Sequence, residues 1–444
     1  MYKLHLIFTS FAFVCLASIL SVPALASTVQ GSIYKLEKVV ELSRHTVRPP
    51  TSISKEEKAT ARTWDKWLVP GGHATGHGYA AAVDQGRYLI SQFRNDGLNL
   101  SNCPNGQSVY ALADTDQRTR MTAKALLGGM FPGCGLSTHS QPLGDQDPAF
   151  GAILSPFAKL NSKMARKQIN EALGTSPEKA RERYLPQLKS LENVVCKKRE
   201  ECPFYEEKWA IKENKYGIPY VTGLSSAASL EETILMQYAN NNPWTNVGFG
   251  HVRTAEDVKK LSYLHYLSYK VSVYPPYIAK RGGSEMMSLI MSALASGSDI
   301  RVKSPTGVAP GKKLLLLVGH DSNIAFLRAM LNRSWNVKWH FKNYAKNDPS
   351  PIATLLFERF KNTVNGKEYA SVKFVVQSLN QLRYLENINA KNPPFHKSFA
   401  IGDNCKKTPK GYMCPLNSVI NAIQSSIDQS AVIKYPFKKV VVDQ

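Results

Sequence analysis

The chain has 444 residues, 43% of them hydrophobic, and a formal net charge of +22 from 56 lysines and arginines against 34 acids. Its length allows a large core in two domains, and the excess of positive charge points toward anionic ligands. The basic residues are dispersed, without an arginine-rich arm, a zinc-finger spacing or an aromatic RNA-binding signature, so nucleic acid is excluded as the expected partner.

Lys3 and His5 precede an apolar run from Leu6 to Leu20, and Ala24-Leu25-Ala26 sets small residues at the spacing of a cleavage site. This layout predicts a secretory signal peptide over residues 1–26. The run is too short to span a bilayer and ends in Pro23, and no later stretch is apolar enough, so no membrane span is expected. Export to the periplasm or beyond fits the cysteines. Cys15 falls in the leader, leaving Cys103, Cys134, Cys196, Cys202, Cys405 and Cys414. An even number in an exported chain predicts three disulfides, among fifteen possible connectivities. Chain proximity favours Cys196–Cys202 and Cys405–Cys414. Metal binding is the alternative, but there is no C-x-x-C, and no histidine pair stands beside these cysteines.

Leu36 to Leu42 reads as a strand running into a loop, and Ser108 to Ala113 as a second strand followed by a helical run from Gln117 to Leu127. Residues 156–243 change character toward charge and helix formers, with helices expected at Lys163–Leu173, Pro177–Asn193 and Ser225–Asn240. Ala255–Lys270 and Gly283–Leu294 add more helix. Leu314 to Val318 is the clearest buried strand, broken by Gly319 and followed by a helical Ile324–Leu331. Ala353–Arg359 and Ser371–Gln377 read as strands joined by a hairpin turn at Asn362–Gly366. The alternation predicts an α/β domain over 27–155 and 244–444 with a mostly parallel sheet flanked by helices. Residues 156–243 are then a helical cap inserted into it.

Three chemically rich segments each follow a strand, where α/β sheets bind ligands. The first is Arg44-His45-Thr46-Val47-Arg48-Pro49-Pro50-Thr51. Two guanidiniums can fork a phosphate between them, and an imidazole placed there is an uncharged nucleophile able to form a phosphohistidine. The ordinary fate of such a run is a solvated basic turn. The second is Asp114-Thr115-Asp116-Gln117-Arg118-Thr119, an arginine at a helix start that attracts anions, although capped helices often begin this way. The third, Gly319-His320-Asp321-Ser322-Asn323, offers a histidine for a phosphoryl oxygen. Its Asp321 suits a general acid, provided the crevice raises its pKa. A simple helix cap is the alternative there.

Together, Arg44-His45-x-x-Arg48-x-Pro50, Asp116-x-Arg118-Thr119 and His320-Asp321 resemble the signature set of the histidine acid phosphatases. The resemblance covers nearly the whole mature chain. It is closest to the bacterial periplasmic glucose-1-phosphatase and phytase branch, through Leu317 to Ala325, Val69 to Gly72, Phe131 to Cys134 and Cys405 to Cys414. The resemblance implies a phosphoglycerate-mutase-like fold with a helical cap, and hydrolysis of phosphomonoesters such as sugar or inositol phosphates, with no metal or other cofactor. It implies His45 as nucleophile, Arg44, Arg48, Arg118 and His320 as phosphate holders, and Asp321 as proton donor. Thr51 and Glu232 match positions that face the substrate. It also supplies the remaining disulfide, Cys103–Cys134. The family motif commonly has glycine where this chain has Thr46, a side chain able to narrow the pocket. Other readings carry less. His73-x-x-x-His77 has the spacing of helical metal ligands, but its glycine-rich run holds a helix poorly. A non-catalytic phosphate-binding protein of the same fold is the alternative from another class. The intact Arg44, His45, Arg48, Arg118, His320 and Asp321 argue against it.

Overall fold

A computed structural model describes Met1 and residues 33–198, 201–302, 311–335, 347, 349–433 and 441–443. The leader expected at 1–26 therefore lies, Met1 apart, outside the described residues. The chain divides at residue 33, and residues 33–444 form one compact unit.

The strands in chain order are β1 (Tyr34–Arg44), β2 (Val109–Ala113), β3 (Thr138–Ser140), β4 (Ile211–Glu213), β5 (Pro219–Val221) and β6 (Leu314–Gly319). They continue as β7 (Thr354–Asn362), β8 (Glu368–Val376), β9 (Phe395–Phe399), β10 (Lys406–Thr408), β11 (Gly411–Pro415) and β12 (Val441–Asp443). β4 and β5 form a separate pair; the others make a 10-stranded sheet in the order β10-β11-β8-β7-β1-β6-β2-β3-β12, with β9 also on β8. The centre, β1-β6-β2-β3, is parallel. On the β7 side the pairings are antiparallel, and β12 closes the other edge antiparallel to β3.

Hydrophobic patterning explains the centre. Leu314, Leu316 and Val318 of β6 enter one core, while Leu315 and Leu317 enter another on the opposite face. A strand covered on both faces needs an unbroken apolar run, and Leu314 to Val318 supplies one. β7 and β8 meet in the expected turn, where Asn362 Oδ1 accepts the amides of Val364 at 2.9 Å and Asn365 at 3.1 Å.

Three expectations about helices change. The run expected over Pro177–Asn193 is two helices, Pro177–Arg183 and Leu185–Val195. Pro186 has no amide to extend the first, so it opens the second. Ala255–Lys270 likewise divides into Ala255–Lys260 and Tyr263–Ser272. The glycine-rich run after Gly71 does start a long helix, Gly76–Asn95, capped by Thr75 accepting the Gly78 amide at 2.9 Å. Glycine is required there by contact. A Cβ on Gly86 would lie 2.2 Å from the Leu126 carbonyl oxygen, and one on Gly129 2.0 Å from that of Val83. The helix Gly76–Asn95 therefore meets the helix Gln117–Met130 backbone to backbone.

Disulfides join Cys103 to Cys134, Cys196 to Cys202 and Cys405 to Cys414. Among the described residues no helix is long and apolar enough to cross a membrane.

Among the described residues, several buried acids have no matching cation. Burial pushes Glu41 of β1 up to about 7 against the pull of its hydrogen bond from Ser43. Burial likewise pushes Asp147 and Glu285 up to about 7. A carboxyl whose folded pKa exceeds its unfolded value binds a proton on folding, so its stabilising effect is complete below about 4.5 and lost by about 7. For Glu41 alone the effect is on the order of 3 kcal/mol. Buried Lys38, lowered to about 7, acts only above that pH. Asp321 and Glu232, both held low, weaken the fold only on stronger acidification. His45 and His77, lowered by burial, pull the other way below about 6.5, but the three raised acids outnumber them, so thermal melts should give the highest Tm near pH 5, falling toward neutrality. Glu41→Gln should flatten that fall by about one proton's slope. A Tm that climbs between pH 5 and 7 would contradict this account.

Candidate active site

β1, β6 and β2 end level with one another, Arg44 pairing with Gly319 and Ala113 with Val318. The His45 amide donates to the Gly319 carbonyl at 2.8 Å, and the Asp114 amide to that of Val318 at 2.9 Å. The residues just past three adjacent strands thus face a common crevice, with His320 in the middle. Gly319 is fixed by space, since a Cβ there would stand 2.4 Å from Asn323 Oδ1. That oxygen accepts the His320 amide at 2.8 Å and starts the helix Asp321–Met330.

Arg44 is fully buried. Its guanidinium donates to the Pro349 carbonyl at 2.6 Å, pairs with Glu232, and lies 3.1 Å from Asp321. Arg48 stands 3.6 Å from the same Glu232 oxygen. Arg118, on the first turn of the helix Gln117–Met130, pairs with Asp116 at 2.6 Å and approaches His320 Nδ1 at 3.4 Å. His320 Nε2 lies 2.7 Å from Asp114.

His45 is also buried, its Nδ1 donating to the Thr46 carbonyl at 2.8 Å, which leaves the lone pair on Nε2. Burial first, then Arg44, Arg118, Arg48 and His320, hold its pKa well below the ordinary value. The imidazole is therefore unprotonated and nucleophilic in acid, where a free histidine is charged. Asp321 departs from expectation. Burial does push its pKa up, but Arg44 and Arg48, joined by His265 and His320 when those rings are charged, more than offset this and hold it well below the usual carboxylate range. It is therefore an anion, because the Arg44 and Arg48 guanidiniums act on it as well.

Glu232 turns its carboxylate onto Arg44 and Arg48, with His265 at 3.5 Å. Thr51 is exposed at the rim, its methyl beside Gly72, which the Arg118 guanidinium also approaches. Thr46 points away from the crevice: its hydroxyl donates to the Gly78 carbonyl at 2.6 Å, and its amide to Thr122 at 2.9 Å. It therefore does not narrow the pocket. His73 precedes the helix Gly76–Asn95 that holds His77, and His77 Nε2 bonds the Leu382 carbonyl at 2.7 Å, so the two do not form a helical ligand pair.

Three residues of the site went unassigned from sequence. Asp114 stood in a segment already noted for its arginine. His265 and Tyr269, one turn apart on the helix Tyr263–Ser272, belong to no motif. Burial, and Asp321, to which its hydroxyl hydrogen-bonds, push the Tyr269 pKa well above the ordinary value.

Residues 35–377 match the model of the histidine phosphatase superfamily (branch 2). The chain is 30% identical to a glucose-1-phosphatase of Salmonella typhimurium over 90% of its length and 96% of that protein. It is 27% identical to the phytase AppA of Escherichia coli, over 86% of this chain and 90% of that one. Among solved structures, the phytase of Klebsiella sp. ASR1 superposes with a TM-score of 0.83 at 31% identity, covering 90% of this chain and 98% of that chain.

Because Thr46 serves the helix behind the crevice, Thr46→Gly should lower stability by about 1–2 kcal/mol, through one lost buried hydrogen bond and a freer backbone. The KM for a phosphomonoester should stay within about twofold. Denaturant unfolding with steady-state kinetics checks both, and a KM change with no loss of stability would return Thr46 to the pocket.

Proposed function

The chain belongs to the histidine phosphatase superfamily (branch 2) and hydrolyses phosphomonoesters, and we propose that His45 is its nucleophile and Asp321 its proton donor. The observation that carries this reading is a buried, unprotonated imidazole among Arg44, Arg48, Arg118 and His320. The guanidiniums hold the phosphoryl oxygens and offset their charge. His45 Nε2 attacks phosphorus, the ester P–O bond breaks, and Asp321 passes its proton to the departing alkoxide oxygen. Water then cleaves the phosphohistidine while the Asp321 carboxylate takes up its proton.

Asp321 must gain a proton to begin, although the guanidiniums beside it keep it ionised. A phosphoryl dianion between the arginines takes up much of their field. Burial, the largest influence on Asp321, then favours the protonated acid, so activity belongs to acidic pH.

A cleft of about 500 Å³ opens beside Thr51, lined by Ser52, Lys55, Glu56, Glu207, Tyr220 and Ser226 among others. Hydroxyls and carboxylates dominate it, and Lys55 is its one cation among the described lining residues. Such a lining suits a polyhydroxylated leaving group better than a polyphosphorylated one. We read residues 156–243, which supply Glu232 and one wall of this cleft, as the cap. Residues 1–26 we read as an export signal, supported by the disulfides.

His45→Ala should abolish turnover while leaving the circular dichroism spectrum unchanged. Asp321→Asn should lose at least tenfold more kcat on glucose 1-phosphate than on p-nitrophenyl phosphate, whose phenolate leaves nearly unaided. Equal losses on both substrates would remove Asp321 from the donor role. For the cleft, kcat/KM should be higher for a sugar monophosphate than for inositol hexakisphosphate, and Ser226→Lys should narrow the gap. The reverse preference would show that the cleft does not hold the leaving group.

A further inference from the structure

His320 touches three charged groups in a fixed pattern. Its Nε2 lies 2.7 Å from Asp114 Oδ2 and 3.4 Å from Asp116 Oδ2, while its Nδ1 faces Arg118 Nη2 at 3.4 Å. Asp321 follows it on the same helix start. His45 stands across the crevice with ring centroids 5.5 Å apart. An arginine nitrogen only donates, so Nδ1 must accept, and the ring proton must sit on Nε2, donated to Asp114.

Asp114 is itself held from several directions. Its other carboxylate oxygen accepts the Thr115 amide at 2.8 Å, and its carbonyl accepts the Thr119 hydroxyl at 2.7 Å. Its amide ties it to β6 through Val318. Behind it stands Asp147, a buried acid whose pKa is raised by burial first and by Asp114 and Glu285 as well. Asp116 is shared with Arg118 at 2.6 Å and is much the more exposed of the two acids. Asp114 is thus the rigid anion on the far side of the imidazole from the crevice.

The tautomer poses a problem that Asp114 solves. With Nε2 occupied, only Nδ1 can reach a phosphoryl oxygen, and facing the Arg118 donor Nδ1 carries a lone pair. Two lone-pair-bearing atoms repel, so His320 can hold phosphate only after Nδ1 gains a proton. The resulting imidazolium keeps Nε2–H on Asp114 and presents Nδ1–H to the phosphoryl oxygen. A carboxylate at 2.7 Å stabilises that cation; a neutral partner would not.

We propose that Asp114 is a positioning residue that fixes the tautomer of His320 and lets it take a second proton when a phosphoryl group binds. The proposal rests on the phosphatase reading of the site. In proton terms, a monoester monoanion gives its P–O–H proton to Nδ1 and is bound as the dianion beside an imidazolium. At higher pH the same proton comes from solvent. Because a phosphate ester loses its second proton at about pH 6, substrate below that pH arrives carrying what His320 needs. Acid preference is thereby built into binding as well as into leaving-group protonation.

The probe is inorganic phosphate, used on the full-length protein labelled with ¹⁵N-histidine, with the His320 signals identified by their loss in His320→Ala. In the wild type, His320 should be neutral with its proton on Nε2, and become doubly protonated when phosphate is added at about pH 7.5. Asp114→Asn keeps a carbonyl to accept Nε2–H, so its ring should remain in place but stay neutral with phosphate bound. Its phosphate inhibition constant should weaken on the order of tenfold or more at neutral pH, with the gap narrowing toward pH 5. KM should rise more than kcat falls, and Asp114→Glu should recover part of the loss.

A neutral His320 in the phosphate-bound wild type would overturn the proposal without any variant. So would a doubly protonated His320 in Asp114→Asn, or a loss of affinity equal at both pH values, which is what a merely structural Asp114 would give. Failure of the wild type to bind phosphate at all would instead defeat the phosphatase reading beneath it.

Discussion

Arg44 carries a full positive charge at a point with no solvent exposure, and most of the site follows from the need to accommodate it. A buried guanidinium must be paired on every side. Glu232 and Asp321 supply the carboxylates, the Pro349 carbonyl takes another N–H, and Arg48 shares Glu232. The same charge lies beside His45 and adds to burial in keeping that imidazole unprotonated. It also keeps Asp321 ionised until something else engages the arginines. In the proposed mechanism a phosphoryl dianion satisfies the cations and, by doing so, frees Asp321 to be protonated.

The scaffold makes this economical in residues. Three adjacent parallel strands ending level place three loops within reach of one anion, although their residues are far apart in the chain. The supporting contacts lie one layer further out. Thr46 bonds the helix Gly76–Asn95, Asn323 closes the turn at His320, and Asp114 holds the His320 ring. Glycines at 86, 129 and 319 stand where a Cβ would meet backbone or a capping side chain. Each therefore sets how closely the elements that aim the site can approach.

Acid conditions recur as a theme in places that are chemically unrelated. Glu41, Asp147 and Glu285 are buried acids that favour the fold when protonated. In the proposed mechanism Asp321 needs a proton to act, and in the role proposed for Asp114 His320 needs one to hold the phosphoryl group. His45 must instead stay without one, and burial among cations achieves that. Stability and catalysis thus draw on the same pH range through opposite effects of burial on acids and on bases.

Much of this could be read from the sequence alone. The apolar run Leu314–Val318 announces a strand covered on both faces, and a basic or acidic cluster directly after each of three strands marks a crevice. Arg44, His45, Arg48, Arg118, His320 and Asp321 were legible because they are local to those strand ends, and local spacing survives folding. What tertiary structure decided was everything set by distance in space. Thr46 reads as a pocket residue, yet it bonds the helix behind the crevice. Glu232 reads as a substrate-facing acid, and only the fold shows that it also pairs with Arg44 and Arg48. His265 and Tyr269 could not be found at all, because a helix brings them to Asp321 from a segment without a motif. The electrostatics likewise needed the fold. Asp321 seemed set to have its pKa raised by burial, and burial does push it that way. Its actual state depends on how many cations stand nearby, and that number exists only once the strands have come together.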